Sequence, residues 1–153
     1  QKIIKALVGI KRGSNQTLKL GNLESKRDWG HAKDYIRAVE KMINADFADD
    51  FVVATGKTYS VRDFIHLVLD KLEIKGNWQQ NKSGMDEFKC NESKVNKELA
   101  NKIIVEQDKK YFRPSDVEYL LGDPSKINSK LGWQCEIHLE ELVEEMINFE
   151  MSA

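Results

Sequence analysis

The stretch Leu20-Gly21-Asn22-Leu23-Glu24-Ser25-Lys26-Arg27-Asp28-Trp29-Gly30-His31-Ala32-Lys33-Asp34-Tyr35 decides the fold. Just before it, Thr17-Leu18-Lys19-Leu20 alternates as a short strand does, and Gly21-Asn22 closes that strand. Beyond it, Ala32, Tyr35, Ile36, Val39, Met42 and Ile43 recur at helical spacing. The spacing predicts an amphipathic helix over 31–45, with Asp28 as its N-cap. Strand, polar loop and helix make one unit of an α/β fold. Ligand-binding groups sit in such loops, and Arg27 stands in this one. A guanidinium at a helix start suits a diphosphate, which it clamps through two hydrogen bonds. The plainer alternative is a surface pair with Asp28 or Asp34.

The same alternation continues outward. Ile3, Ile4, Leu7 and Val8 form a helical stripe over 2–10, broken at Gly13-Ser14-Asn15. Phe51-Val52-Val53-Ala54 reads as a compact strand buried on both faces of a parallel sheet. Ser60 and Asp63 have the spacing of a capping box, ahead of Phe64, Ile65, Val68, Leu69 and Leu72 on one helix face. Residues 75–102 are polar and read as an excursion or lid-like loop with a short helix near 93–101. Ile103-Ile104-Val105 is a further strand. Asp123-Pro124 opens a helix with Ile127 and Leu131 inward and Gly132 as its C-cap. Leu139, Leu142, Val143, Met146 and Ile147 mark the last helix.

At 153 residues, 41% hydrophobic and 32% charged, the chain is sized and composed for one globular domain. A net charge of −1 gives no global attraction to nucleic acid, and no apolar run is long enough to span a membrane. The charge is uneven, however. Residues 1–33 carry Lys2, Lys5, Lys11, Arg12, Lys19, Lys26, Arg27 and Lys33 against only Glu24 and Asp28, whereas residues 134–153 carry six Glu and no base. A basic opening segment suits an anionic ligand; two solvated faces are the alternative. Cys90 and Cys135 are too few for a disulfide framework and, with His31, His66 and His138 scattered, make no metal spacing. Free thiols fit a reducing, cytoplasmic setting.

Downstream, Tyr111-Phe112-Arg113-Pro114-Ser115-Asp116-Val117-Glu118 offers a second candidate pair. Pro114 stiffens the turn and biases Arg113 toward extended backbone. Asp116, three residues on, offers paired acceptors for a ribose diol or a base edge. Trp29, Tyr35 and Trp133 are read first as core aromatics and only second as stacking platforms. Two features are missing. No Gly-rich dinucleotide fingerprint opens a strand–helix unit, and no Tyr is followed four residues later by Lys.

Together the two stretches resemble the C-terminal part of the GDP-mannose 4,6-dehydratase family of extended short-chain dehydrogenases. Phe51–Gly56, Ser60–Phe64, Leu121–Lys126 and Leu131-Gly132-Trp133 follow the family in order and spacing. The resemblance implies the C-terminal part of a Rossmann-type fold with its small sugar-nucleotide-binding domain. Residues 1–153 would then include residual Rossmann strands near 17–20 and 51–54, with the NADP-binding portion lying outside them. It implies that Arg27 binds the diphosphate with Lys26 near it, that Arg113 and Asp116 hold the GDP end, and that Gly21 and Lys2 line the same pocket. The family more often has Glu where Asp116 stands. The implied activity is a NADP-dependent lyase reaction on GDP-mannose in GDP-fucose synthesis, by a cytoplasmic dimer or tetramer. Its catalytic Tyr–Lys pair has no counterpart here. The alternatives are another nucleotide-sugar dehydratase or epimerase, or a non-catalytic nucleotide-binding or interaction module.

Overall fold

The computed structural model describes residues 1–94, 96–113, 115 and 117–153. Pro114 and Asp116 of the second candidate pair, and Val95, lie outside that set. The elements in chain order are α1 (Lys2–Lys11), β1 (Leu18–Leu20), β2 (Lys26–Arg27), α2 (Ala32–Ile43), β3 (Tyr59–Ser60), α3 (Val61–Lys71), β4 (Ile74–Gln80), β5 (Asp86–Ser93), β6 (Ile103–Gln107), α4 (Ser125–Leu131) and α5 (Leu139–Ser152). The expected α/β class holds.

Four strands form a mixed sheet in the order β1-β6-β5-β4. β1 runs parallel to β6, and the other two pairs are antiparallel. The parallel partner of the 17–20 segment is therefore within this chain. Ile4, Leu7, Val8 and Ile10 of α1 and Phe64, Ile65, Val68 and Leu69 of α3 share one core with Val105, Ile104, Phe88 and Cys90 of the sheet. Leu139, Val143 and Ile147 bring α5 onto the same core. Each fully buried aliphatic contributes roughly 1.5–3 kcal/mol, so this cluster holds the sheet and three helices as one unit. The capping box at α3 forms as read: Ser60 Oγ accepts from Asp63 N at 3.0 Å, and Asp63 Oδ2 accepts from Ser60 N at 2.8 Å.

Residues 75–102 differ from expectation. The β4–β5 hairpin takes the place of the expected loop, while the short helix expected near 93–101 is present as a 3-10 turn at Lys97–Leu99. The hairpin turn is pinned by Asn81, whose Oδ1 accepts from Ser83 N at 2.9 Å and Met85 N at 3.1 Å. Only one face is buried, through Ile74, Phe88 and Cys90, so the rest of the sequence stays polar.

A second, smaller cluster joins Ala38 of α2, Ile127 of α4 and Trp133, with Met42, Phe51 and Val53 against it. Gly132 ends α4 at φ 60°, as its C-cap reading requires. α4 itself begins at Ser125, one residue beyond the Pro124 start, and Asp123 Oδ1 accepts from Ser125 N at 2.9 Å. Residues 51–54 join no ladder among the described residues. A strand needs a neighbour for its N–H and C=O groups, and no described residue ladders with this segment. Most of the apolar stripe of α2 also faces outward: Ile36 is 67% exposed, Val39 43% and Ile43 77%.

Asp34 is the buried charge that holds this region. It is 1% exposed. Its Oδ2 accepts from Ile137 N at 3.0 Å, Glu136 N at 3.3 Å and the Cys135 thiol at 3.2 Å, and Arg37 pairs with Oδ1. Burial opposes its ionisation, but the Ile137 N–H, the Cys135 thiol, the Arg37 charge and the Glu136 N–H together hold the carboxyl below the usual carboxylate range. A depressed folded-state pKa stabilises the fold at pH above the ordinary Asp value, and that contribution is lost as pH falls through the folded value. Acid titration followed by circular dichroism should therefore show Asp34→Asn unfolding with a shallower pH dependence below about pH 4 than the unaltered chain.

Candidate functional site

The two stretches singled out in the sequence are hydrogen-bonded to each other. β2 pairs antiparallel with β3, Lys26 opposite Ser60 and Arg27 opposite Tyr59. On its other side Lys26 forms a parallel bridge to Tyr119. Lys26 N donates to Glu118 O at 2.7 Å, and Leu120 N donates to Lys26 O at 3.1 Å. The Arg27 guanidinium completes the join, with Nη1 donating to Val117 O at 2.5 Å and to Lys26 O at 2.8 Å. Neither carboxylate of the alternative surface pairing is idle: Asp34 is engaged as above, and Asp28 accepts from Thr55 and Gly56.

That last contact corrects the N-cap reading. Asp28 does not cap α2. His31 does, its Nδ1 accepting from Lys33 N at 3.0 Å.

A second junction lies at the other end of the 108–120 loop. Leu20 O accepts from Asp108 N at 2.8 Å, and Gly21 O accepts from Gln107 Nε2 at 3.3 Å. A Cβ on Gly21 would collide with the Tyr111 carbonyl, so only glycine lets the two backbones approach this closely. Lys2 Nζ donates to Lys19 O at 2.7 Å and lies 4.2 Å from the centre of the Tyr111 ring. Beside it is a hollow of about 490 Å³ lined by Lys2, Lys5, Lys19 and Tyr111 among others.

Lys2 and Gly21 therefore stand at one end of the loop, and Lys26 and Arg27 at the other. Arg113 falls between Tyr111 and Val117 along the chain. It is exposed and makes no hydrogen bond or ion pair among the described residues. Val117 is four positions on, so the Arg113 Cα is within roughly 14 Å of the carbonyl-bearing residue that Arg27 holds. Nothing is described for Asp116. Lys109 and Lys110, in the 3-10 turn just before Arg113, add positive charge that the sequence reading passed over. The run Lys109-Lys110-Tyr111-Phe112-Arg113 was the available signal.

Another cleft of about 490 Å³ is lined by Trp29, Gly56, Lys57, Tyr59, Trp133 and His138 among others. It contains none of the six candidates. Trp29 packs on Phe64 with ring centres 5.0 Å apart, and Trp133 is 1% exposed, so both serve the core as expected. Cys135 touches this cleft, but burial and the adjacent Asp34 push its thiol up to about 11, which removes it as a nucleophile near neutral pH. Among the described residues there is no cluster of His, Cys, Asp or Glu fit for a metal ion, and no helix is long and apolar enough to cross a membrane.

Comparison with known proteins agrees with the sequence resemblance. The family model of GDP-mannose 4,6 dehydratase matches residues 1–146. The GDP-mannose 4,6-dehydratase of Yersinia enterocolitica is 43% identical over 152 residues, covering 96% of this chain and 40% of that protein. The Dictyostelium discoideum and Homo sapiens GDP-mannose 4,6 dehydratases are 39% and 38% identical, with 39% and 38% of their lengths covered. The chain thus spans about two-fifths of the curated relatives it matches. Among solved structures, the fold is similar to RMD from Pseudomonas aeruginosa complexed with NADPH, with TM-score 0.70, 16% identity, and 98% of this chain and 40% of that one covered. It is also similar to the UDP-N-acetylglucosamine 4-epimerase of Methanobrevibacter ruminantium in complex with UDP-N-acetylmuramic acid, with TM-score 0.67, 19% identity, and 99% and 38% covered. At those identities the likeness is one of fold.

Proposed function

The chain belongs to the GDP-mannose 4,6 dehydratase family, and on that premise we propose that it supplies the GDP-sugar-binding part of a GDP-mannose 4,6-dehydratase. The reaction is the conversion of GDP-mannose to GDP-4-keto-6-deoxymannose, a NADP-dependent lyase reaction that leads toward GDP-fucose. Arg27, with Lys26 beside it, takes the diphosphate. Arg113 and Asp116 take the GDP end, and Gly21 and Lys2 line the same ligand. The observation that carries this reading is the direct join between the two stretches: the Arg27 guanidinium on Val117 O, and Lys26 between Glu118 and Leu120. A cytoplasmic setting accords with two free thiols, and a dimer or tetramer with the family.

The described residues do not fit a NADP site. Residues after β1 turn through Gly21-Asn22 into β2, with no Gly-rich loop onto a helix N-terminus, and no Tyr precedes a Lys by four positions. No step of hydride or proton transfer is assigned to these 153 residues. In this reading such steps belong to the three-fifths of the relatives' length that this sequence does not match.

The same reading gives the exposed stripe of α2 an occupant. Ile36, Val39 and Ile43 form the exposed face on which that further portion docks, and the 51–54 segment, whose Val52 is 53% exposed, gives it a separate contact. Lysine at both Ile36 and Ile43 should change the stability of this chain by less than about 0.5 kcal/mol, as for solvent-facing sites. It should also reduce self-association in sedimentation. A large loss of stability would mean that these side chains already pack within the chain.

The binding role is tested by titrating GDP calorimetrically against the chain and its Arg27→Ala and Arg113→Ala variants. Each substitution should weaken binding by about 1.5–3 kcal/mol, the range for a lost hydrogen bond to a charged group. Unchanged affinity in both variants defeats the assignment.

A further inference from the structure

Asp28 has no part in the ligand set above, yet it is the residue next to Arg27 and its carboxylate accepts three hydrogen bonds. Its Oδ1 accepts from Thr55 N at 3.0 Å and from Thr55 Oγ1 at 2.6 Å, and its Oδ2 accepts from Gly56 N at 3.0 Å. Thr55 Oγ1, its proton given to Asp28, also accepts from Lys57 N at 3.2 Å. These contacts fasten the turn that leads into β3, the strand paired with Arg27. The β2–β3 ladder is only two residue pairs long. So short a ladder is marginal by itself, and hydrogen bonds to a carboxylate are the stronger kind.

We infer that Asp28 is a positioning residue for the diphosphate site, holding the backbone of Arg27, and hence the direction of its guanidinium, by clamping the Thr55–Gly56 turn that carries Tyr59. The inference rests on the reading of Arg27 as the diphosphate ligand. Charge and position pull in opposite directions here, and that separates them. A carboxylate one residue from a bound diphosphate repels it. If Asp28 acted only through its charge, removing the charge would tighten GDP. If it acts by position, Asp28→Asn weakens GDP, because the amide NH₂ meets the Gly56 N–H donor to donor.

The test is GDP titration against the chain, Asp28→Asn, Arg27→Ala and the double variant, with circular dichroism as the fold control. Asp28→Asn should weaken GDP about tenfold in the unaltered background, and by less than about twofold when Arg27 is already alanine, because contacting neighbours couple. Thr55→Val, which removes one clamp donor without touching charge, should weaken GDP in the same direction. Thr55→Ser should restore it. If Asp28→Asn does not fold, the Thr55 pair carries the test. Tighter GDP binding in Asp28→Asn, equal weakening in both Arg27 backgrounds, or Thr55→Val indistinguishable from Thr55→Ser overturns the positioning role while leaving the Arg27 assignment intact. An Arg27→Ala variant with undiminished affinity overturns both.

Discussion

A chain carrying both Arg27→Ala and Arg113→Ala is expected to bind GDP more weakly by roughly 3–6 kcal/mol, twice the effect of either change alone. Additivity is the expectation because Arg27 stands on β2 and Arg113 in a loop, each offered to a different end of the ligand. Arg27 is fixed by β2 and by the carbonyl of Val117. Arg113 is an exposed loop residue held to no described group, so it is able to turn onto a ligand. The fold should survive both changes, since neither side chain is in the core. Calorimetry reads the affinity and a thermal melt reads the fold. A double variant no weaker than Arg27→Ala alone would place Arg113 outside the site.

The largest effect on stability is expected from Trp133→Ala. Trp133 is 1% exposed, packs with Ala38 and Ile127, and donates its Nε1–H to Asp34 O at 2.9 Å. Truncating a buried aromatic costs about 3–5 kcal/mol, and here a backbone carbonyl also loses its indole donor. The damage should centre on α2 and α4, because the smaller cluster is built around this ring. Trp133→Phe keeps most of the volume and should cost less, on the order of 1–3 kcal/mol, from the lost donor. Urea unfolding followed by circular dichroism gives both values. A loss below about 1 kcal/mol for the alanine variant would show that the smaller cluster adds little to the fold.

Local signals in the sequence were enough for α1, α3 and α5, whose apolar residues recur at helical spacing and do face the core. The Ser60–Asp63 capping box was equally legible, because both partners lie within one turn. The β4–β5 hairpin was not. Its buried residues sit on one face only, and its turn depends on Asn81 side-chain bonds that have no period. Asp28 was read as a cap because an acidic residue before a helix usually is one. Thr55 and Gly56, 27 and 28 residues away, compete for it and win. In α2 the pattern reported an apolar stripe correctly, but a pattern does not say what covers it.

The candidate site was legible only through the resemblance. Nothing in the spacing of Arg27 and Val117, 90 residues apart, announces that one holds the carbonyl of the other. Nor does the sequence reveal that Gly21 is needed where the chain passes against Tyr111.

The most direct measurement is a crystal structure of the chain with GDP bound. The account predicts diphosphate oxygens within hydrogen-bonding reach of Arg27 and the nucleoside turned toward Arg113 along the 108–120 loop. GDP seated instead in the cleft between Gly56 and His138, out of reach of both guanidinium groups, would contradict it.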